Sequence, residues 1–144
     1  MIKTKLYVVL ISIYIGLAYS INASSRSRVG SPTKEKEIHV TATRYNPVAK
    51  ECGKNPLVTA DGSRINLKAL KKKKIRWIAV SRDLLKVYKY GEMVKISGAG
   101  ELDGIYTIHD TMHKRWRKKV DILTHSSHKI KGGLWEVKIK KVSG

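Results

Sequence analysis

The sequence contains no phenylalanine, a single cysteine and three prolines, and its 11 acidic residues face 30 lysines and arginines. Each shortage excludes something. One cysteine, Cys52, cannot form an intramolecular disulfide, so a disulfide-stapled scaffold is ruled out, and burial as a small apolar group is the expectation for its thiol. No stretch keeps a helical period beyond a turn or two, which excludes a helical bundle. Apart from the N-terminus, no apolar run approaches the roughly 20 residues of a membrane-spanning helix. Acids are so scarce that the position of each one carries information.

The N-terminus reads as an export signal. "MIKTKLYVVLISIYIGLAYS" has Lys3 and Lys5, an apolar run from Leu6 to Ala18, and the small residues Ala18 and Ser20 two apart. That is the layout of a cleavable leader over residues 1–20, its apolar run too short for a span. Residues 21–37, "INASSRSRVGSPTKEKE", lack apolar periodicity and read as a polar linker. The folded domain is expected over 38–142, a length that supports one small core. Loss of Lys3 and Lys5 with the leader lowers the formal charge from +19 to +17. So basic a chain is drawn to polyanions. Export shifts the expected partners from nucleic acid to cell-wall polymers and other anionic envelope components, in the bacterial periplasm or envelope. The densest cationic run, Lys71–Lys74, reads as a solvated loop tip.

Beyond residue 38 the apolar residues come in short β-branched and aromatic bursts. These are "IHVTATRY" (38–45), "RINL" (64–67), "WIAV" (77–80), "EMVKISG" (92–98), "GIYTIHD" (104–110), "KVDILT" (119–124) and "LWEVKIKKV" (134–142). Several alternate with period two and are punctuated by glycines, as strands and turns require. Only "SRDLLKVY" (81–88) suggests a helical turn. So many short strands in one small domain fit an all-β closed barrel, because closure removes exposed edges. Ala79, Val80, Val94, Ile96, Ile108, Ile122, Val137 and Ile139 are expected to form much of the barrel core, and Trp77 and Trp135 are expected to be core residues as well.

Two acids stand out in "TIHDTMHKRWRKKVDIL" (107–123). Asp110 and Asp121 each border an apolar run, and five cations lie between them: Lys114, Arg115, Arg117, Lys118 and Lys119. Spacing alone leaves two options: the pair fixes the barrel mouth through salt bridges, or it does chemistry. Trp116, among the cations and outside any apolar pattern, can stack on a sugar ring. His109 and His113, like His125 and His128, sit closely spaced, but convergence of three or four ligands is what a metal requires. They are expected to be solvated or hydrogen-bonding loop residues, with no metal and no cofactor.

The order of segments "VTATRYNP", "VTADGSRIN", "WIAVSRDLL", "YGEMVKISGAG", "GIYTIHDTM" and "KKVDIL" resembles the three-aspartate domain, a branch of the RlpA-like double-psi β-barrels. That group includes the barrel of MltA-type lytic transglycosylases and has expansins as distant relatives. The resemblance covers residues 38–140 and rests most on "HDTM" and "KVDIL". It implies a six-stranded double-psi barrel and activity on peptidoglycan glycan strands. Asp121 would be the general acid/base and Asp110 its neighbour, raising its pKa and positioning it by a hydrogen bond. Asp83, Tyr45, Thr59, Trp116 and Thr111 would border the substrate, Thr59 offering its hydroxyl. The protein would act as a monomer. Two departures are plain: Met112 and "HKRWRKK" replace the family's glycine-rich turn, and Ser81 and Arg82 intervene before Asp83. A non-catalytic glycan-binding module stays open as the alternative, and a secreted polyanion binder acting by charge alone as a third reading.

Overall fold

The computed structural model describes residues 36–142; the expected leader and all of the expected linker before residue 36 lie outside the described residues. Among the described residues six strands form: β1 (Ile38–Tyr45), β2 (Trp77–Val80), β3 (Met93–Ser97), β4 (Gly104–Thr111), β5 (Lys119–Leu123) and β6 (Trp135–Lys141). They close into a barrel in the order β1-β5-β2-β4-β3-β6. β1 runs parallel to β5 and β2 parallel to β4, while the other four pairings are antiparallel. Exchanging each strand for the one three places along, β1 for β4, β2 for β5 and β3 for β6, leaves this pairing pattern unchanged. Two interlocked halves with one crossover each therefore build the barrel, which is the double-psi arrangement.

Alternation fixes which side chains fill it. Val94 and Ile96 of β3 and Val137 and Ile139 of β6 are buried, whereas Met93, Lys95, Lys138 and Lys140 between them are exposed. Ile78, Val80, Ile108, Val120 and Ile122 join them in an apolar interior without any phenylalanine. β2 departs from alternation because both of its faces are covered. Ile78 and Val80 face the barrel interior, and Ala79 faces a second cluster with Tyr45, Ile65, Leu70 and Leu123. The long β1–β2 connection supplies that cluster and packs against the outside of the barrel. Trp77 and Trp135 are half-buried, each packed against one of the two clusters rather than inside it.

The stretch Arg64–Leu67, expected as a strand, is not one. Arg64 makes only an isolated bridge with Val58. Asn66 then accepts a hydrogen bond from the Ala69 amide at 3.0 Å and starts a helix. An Asn at this position caps the orphan amides of a first turn, and that local bond outweighs the apolar alternation. Helical content is also larger than the single turn expected. It comprises α1 (Ala49–Cys52), α2 (Leu67–Lys71) and 3-10 turns at Leu84–Lys86 and Gly100–Leu102.

One glycine is dictated by a close approach. Gly104 has φ +141°, and a Cβ there would lie 2.5 Å from Arg76 Nη1. The Arg76 guanidinium is held in place, 4.4 Å from the Tyr106 ring centre. Its Nη2 donates to the Tyr106 hydroxyl at 2.6 Å and to the Asp103 carbonyl at 2.9 Å. Gly104→Ala must strain the backbone and expel the guanidinium, so thermal melts should show a loss of about 1–3 kcal/mol. A melt unchanged from wild type would mean that this corner is soft.

Candidate functional site

The site is a row of residues running across four strands. Thr43 of β1 is opposite Asp121 of β5, Asp121 is opposite Ala79 of β2, and Ala79 is opposite Asp110 of β4. A bulge makes the last pairing. Ile78 aligns with Ile108, but Ala79 aligns with Asp110, so His109 is the extra residue. Such an insertion re-aims the side chains beside it. Here it sets the two aspartates on either side of one small alanine. A cleft of about 450 Å³ opens over the row, lined by both aspartates, Ala79, Tyr45, Thr111 and Trp116 among others. Ala79 leaves the floor low; a larger side chain would fill the space between the carboxylates.

Asp121 is half-buried at this floor. Desolvation pushes its carboxyl up to about 6, against a hydrogen bond that favours the anion; the negative charges of Glu51 and Asp110 push it further, and Lys119 pulls it back. The bond comes from the Thr43 hydroxyl, which donates to Oδ1 at 2.8 Å. Asp110 is held differently. Its Oδ1 accepts from the Ala60 and Thr111 amides at 3.0 and 2.8 Å, and its Oδ2 accepts from the Tyr45 hydroxyl at 3.1 Å. Burial and the adjacent Asp110 hold the Tyr45 phenol far above its usual range. Among the described residues, no ion pair reaches either aspartate, which leaves the salt-bridge option without a partner.

The expected hydrogen bond from Asp110 to Asp121 is absent from the described bonds, and the reason is geometric. Strand β2 lies between them, and two strand spacings amount to roughly 10 Å along the sheet. Asp110 therefore acts on Asp121 through charge alone, while Thr43 orients it. Thr59 also differs from expectation: it lines the cleft, but its hydroxyl is directed to Asp61 Oδ1 at 2.7 Å and the Ser63 carbonyl at 3.1 Å. Thr111 lines the cleft and its hydroxyl meets that of Tyr90. Asp83 does not reach the cleft. Its Oδ2 accepts from the Lys118 amide at 3.0 Å, so it fastens the end of the 112–118 loop, where Lys118 has φ +45°. Burial raises the Asp83 carboxyl, but the Ser81 hydroxyl and the Lys118 amide outweigh it and hold the group below its ordinary value.

The histidines diverge. His109 Nδ1 is 2.6 Å from Asp61 Oδ2, with its ring 4.1 Å from that of Trp77. His113 instead accepts a weak bond from the Arg115 amide at 3.3 Å. Trp116 is half-buried at the cleft wall, with the Lys119 ammonium 4.1 Å and the Arg115 guanidinium 4.8 Å from its ring centre.

Two residues that act on Asp121 were missed in the sequence. Thr43 was within reach of the alternation rule, because β1 buries Val40 and Ala42 in the core and so turns Thr41, Thr43 and Tyr45 to the other face. Glu51 had no such signal. It arrives on α1, where the Asn46 amide donates to its Oε2 at 2.8 Å, in a connection whose path no periodicity describes. Glu51→Gln should remove a charge that raises Asp121, so a carboxyl titration by ¹³C NMR should place Asp121 below its wild-type value. No displacement would show that the Glu51 charge is screened by solvent.

No family model matches the sequence, and no curated protein matches it. Among solved structures the chain is similar to apo-expansin of Clavibacter michiganensis, at 13% identity and a TM-score of 0.50, over 75% of this chain and 51% of that one. A mutant of the same expansin in complex with cellohexaose is similar at 12% identity and a TM-score of 0.52, with the same coverage. This chain spans about half the length of those expansin chains. At such identity the likeness defines the fold: a six-stranded closed all-β barrel of the expansin-like kind.

Proposed function

We propose that this chain is an exported cell-envelope protein that binds peptidoglycan glycan strands and cleaves them in the manner of a lytic transglycosylase, with Asp121 as general acid/base. One observation carries the reading. A carboxyl held at about 6 by desolvation is aimed into an open cleft beside a second carboxylate. In its protonated form Asp121 can give its proton to the oxygen leaving C1 of N-acetylmuramic acid as the β-1,4 bond breaks. The 6-hydroxyl of the same sugar attacks C1, and its proton returns to the Asp121 carboxylate. Atoms balance without water: the products are a 1,6-anhydromuramyl end and a free 4-hydroxyl. The second carboxylate of an ordinary glycosidase is then not needed as nucleophile or base, which agrees with Asp110 being fully engaged by Tyr45 and two amides.

The expansin of like fold was solved with cellohexaose, a β-1,4-linked glycan, and that complex also favours a second reading, a module that binds wall glycan without turnover. Purified sacculi incubated with the protein decide between them. Release of 1,6-anhydromuropeptides, detected by mass spectrometry, supports the enzyme; binding without release supports the module. Binding should also depend on salt, because the chain without its expected leader carries a formal charge of +17. Retention on sacculi should fall steeply between low and physiological ionic strength. Retention indifferent to salt would assign recognition to uncharged sugar contacts.

A further inference from the structure

Trp116 does not present a bare platform to a sugar. The Arg115 guanidinium and the Lys119 ammonium both approach its ring, and neither takes part in an ion pair among the described residues. Arg115 is exposed, while Lys119 and Trp116 are half-buried. Lys119 is anchored at the start of β5, where its amide donates to Ser81 Oγ at 3.1 Å. Asp83 and the Lys118 amide fasten the preceding turn. The indole lines the cleft, and the two cations are seated against its ring, next to the cleft wall rather than among the residues that line it. A guanidinium braced by an aromatic ring keeps its fork of donors oriented at little entropic cost, and that fork matches an oxyanion.

We propose that Arg115 and Lys119, braced by Trp116, form an oxyanion-reading subsite at the rim of the cleft, so that the glycan bound there carries a carboxylate or phosphate rather than being neutral. This deepens the reading above, since it names the substituent that the same cleft selects. Segment "HKRWRKK" is where the chain departs from the pattern it resembles, so the subsite is a property of this chain. Cellohexaose and chitohexaose lack the substituent. Strands of alternating N-acetylglucosamine and N-acetylmuramic acid carry it as the lactyl carboxylate on the same β-1,4 backbone.

The test is calorimetric binding of the full chain at physiological salt. Its ligands are chitohexaose, peptide-free glycan strands of the same length with free lactyl carboxylates, and chitohexaose phosphorylated at its 6-hydroxyls. Wild type should bind the carboxylated or the phosphorylated ligand about tenfold more tightly than chitohexaose, and the preferred one identifies the source of the oxyanion. In Arg115→Gln/Lys119→Gln that preference should shrink towards one, and Trp116→Leu should reduce it through loss of the brace. Both variants are checked for the wild-type circular dichroism spectrum. A preference kept in full by the folded double variant would overturn the subsite, as would equal displacement of the bound glycan by inorganic polyphosphate, which would mean charge alone. Because the readout is binding, failure of turnover leaves the subsite standing. Turnover with no preference between ligands removes the subsite and leaves the enzyme.

Discussion

Asp121→Asn should abolish release of 1,6-anhydromuropeptides and, in the same protein, raise stability at pH 7. The first effect follows from the proton: Asn matches Asp in size and can accept the Thr43 hydrogen bond through its carbonyl, but it has no acidic proton to give. General acid catalysis of this kind contributes about 10²–10⁴-fold in rate. The second effect follows from the pKa. A carboxyl raised from 3.8 to about 6 by burial binds its proton more tightly in the folded state than in the unfolded one. Below pH 4 both states hold the proton and nothing is lost. Between pH 4 and 6 the unfolded chain releases it first, so stability falls as pH rises, and above 6 the full penalty persists. That penalty is at most about 3 kcal/mol, and residual solvent contact makes about 1–2 kcal/mol the expected gain on substitution. Paired melts and digestions from pH 3.5 to 8 check both effects. Wild-type activity should itself decline above about pH 6, as the acid loses its proton. A variant less stable than wild type at pH 7 would restore the salt-bridge role for Asp121, and full activity in a folded variant would leave the glycan-binding module as the function.

One residue along the chain, Ile122→Ala should cost about 2–5 kcal/mol, measured by chemical denaturation at pH 7. Ile122 has no solvent exposure, and β5 is the strand that joins the two parallel pairs, through β1 on one side and β2 on the other. It is paired with Ile78 across the sheet and shares with Val120 and Ile108 an interior in which β-branched residues predominate. Those stiff side chains have few alternative rotamers with which to refill a cavity. The effect on activity should exceed the loss of folded protein, because β5 also holds Asp121 against Thr43. A cost below about 0.5 kcal/mol would contradict the alternation that places Ile122 inward and Asp121 towards the cleft.

Much of this architecture was legible in the chain. Strands β2 to β6 lie within a residue of the apolar runs that announced them, and β1 coincides with its run. Seven of the eight residues expected in the barrel core lie there, and Ala79 is buried on the other face of β2, in the second cluster. Period-two alternation is a local property, imposed by the pleat itself, so a sequence displays it without reference to the rest of the fold. The failures were of the opposite kind. Arg64–Leu67 alternates like a strand, yet the Asn66 cap starts a helix there, and no barrel strand passes alongside to pair with it.

For the site, the sequence marked Asp110, Asp121, Tyr45, Thr111 and Trp116, all of which line one cleft. It could not give their arrangement. That Ala79 separates the aspartates depends on β2 passing between β4 and β5, a pairing between segments some 30 to 40 residues apart. The bulge at His109, which brings Asp110 into the row, depends on register between two strands. Asp83, marked by its motif, turned out to fasten a loop, since the backbone it serves folds back from Lys118. Glu51 enters only because the β1–β2 connection packs against the barrel wall. The chain by itself determined a basic all-β barrel and which of its few acids to watch, because pleat alternation and charge are written residue by residue. Only the tertiary structure decided how those acids stand to one another and which charges act on Asp121 beside its desolvation, because burial and Coulomb energy depend on distances between distant parts of the chain.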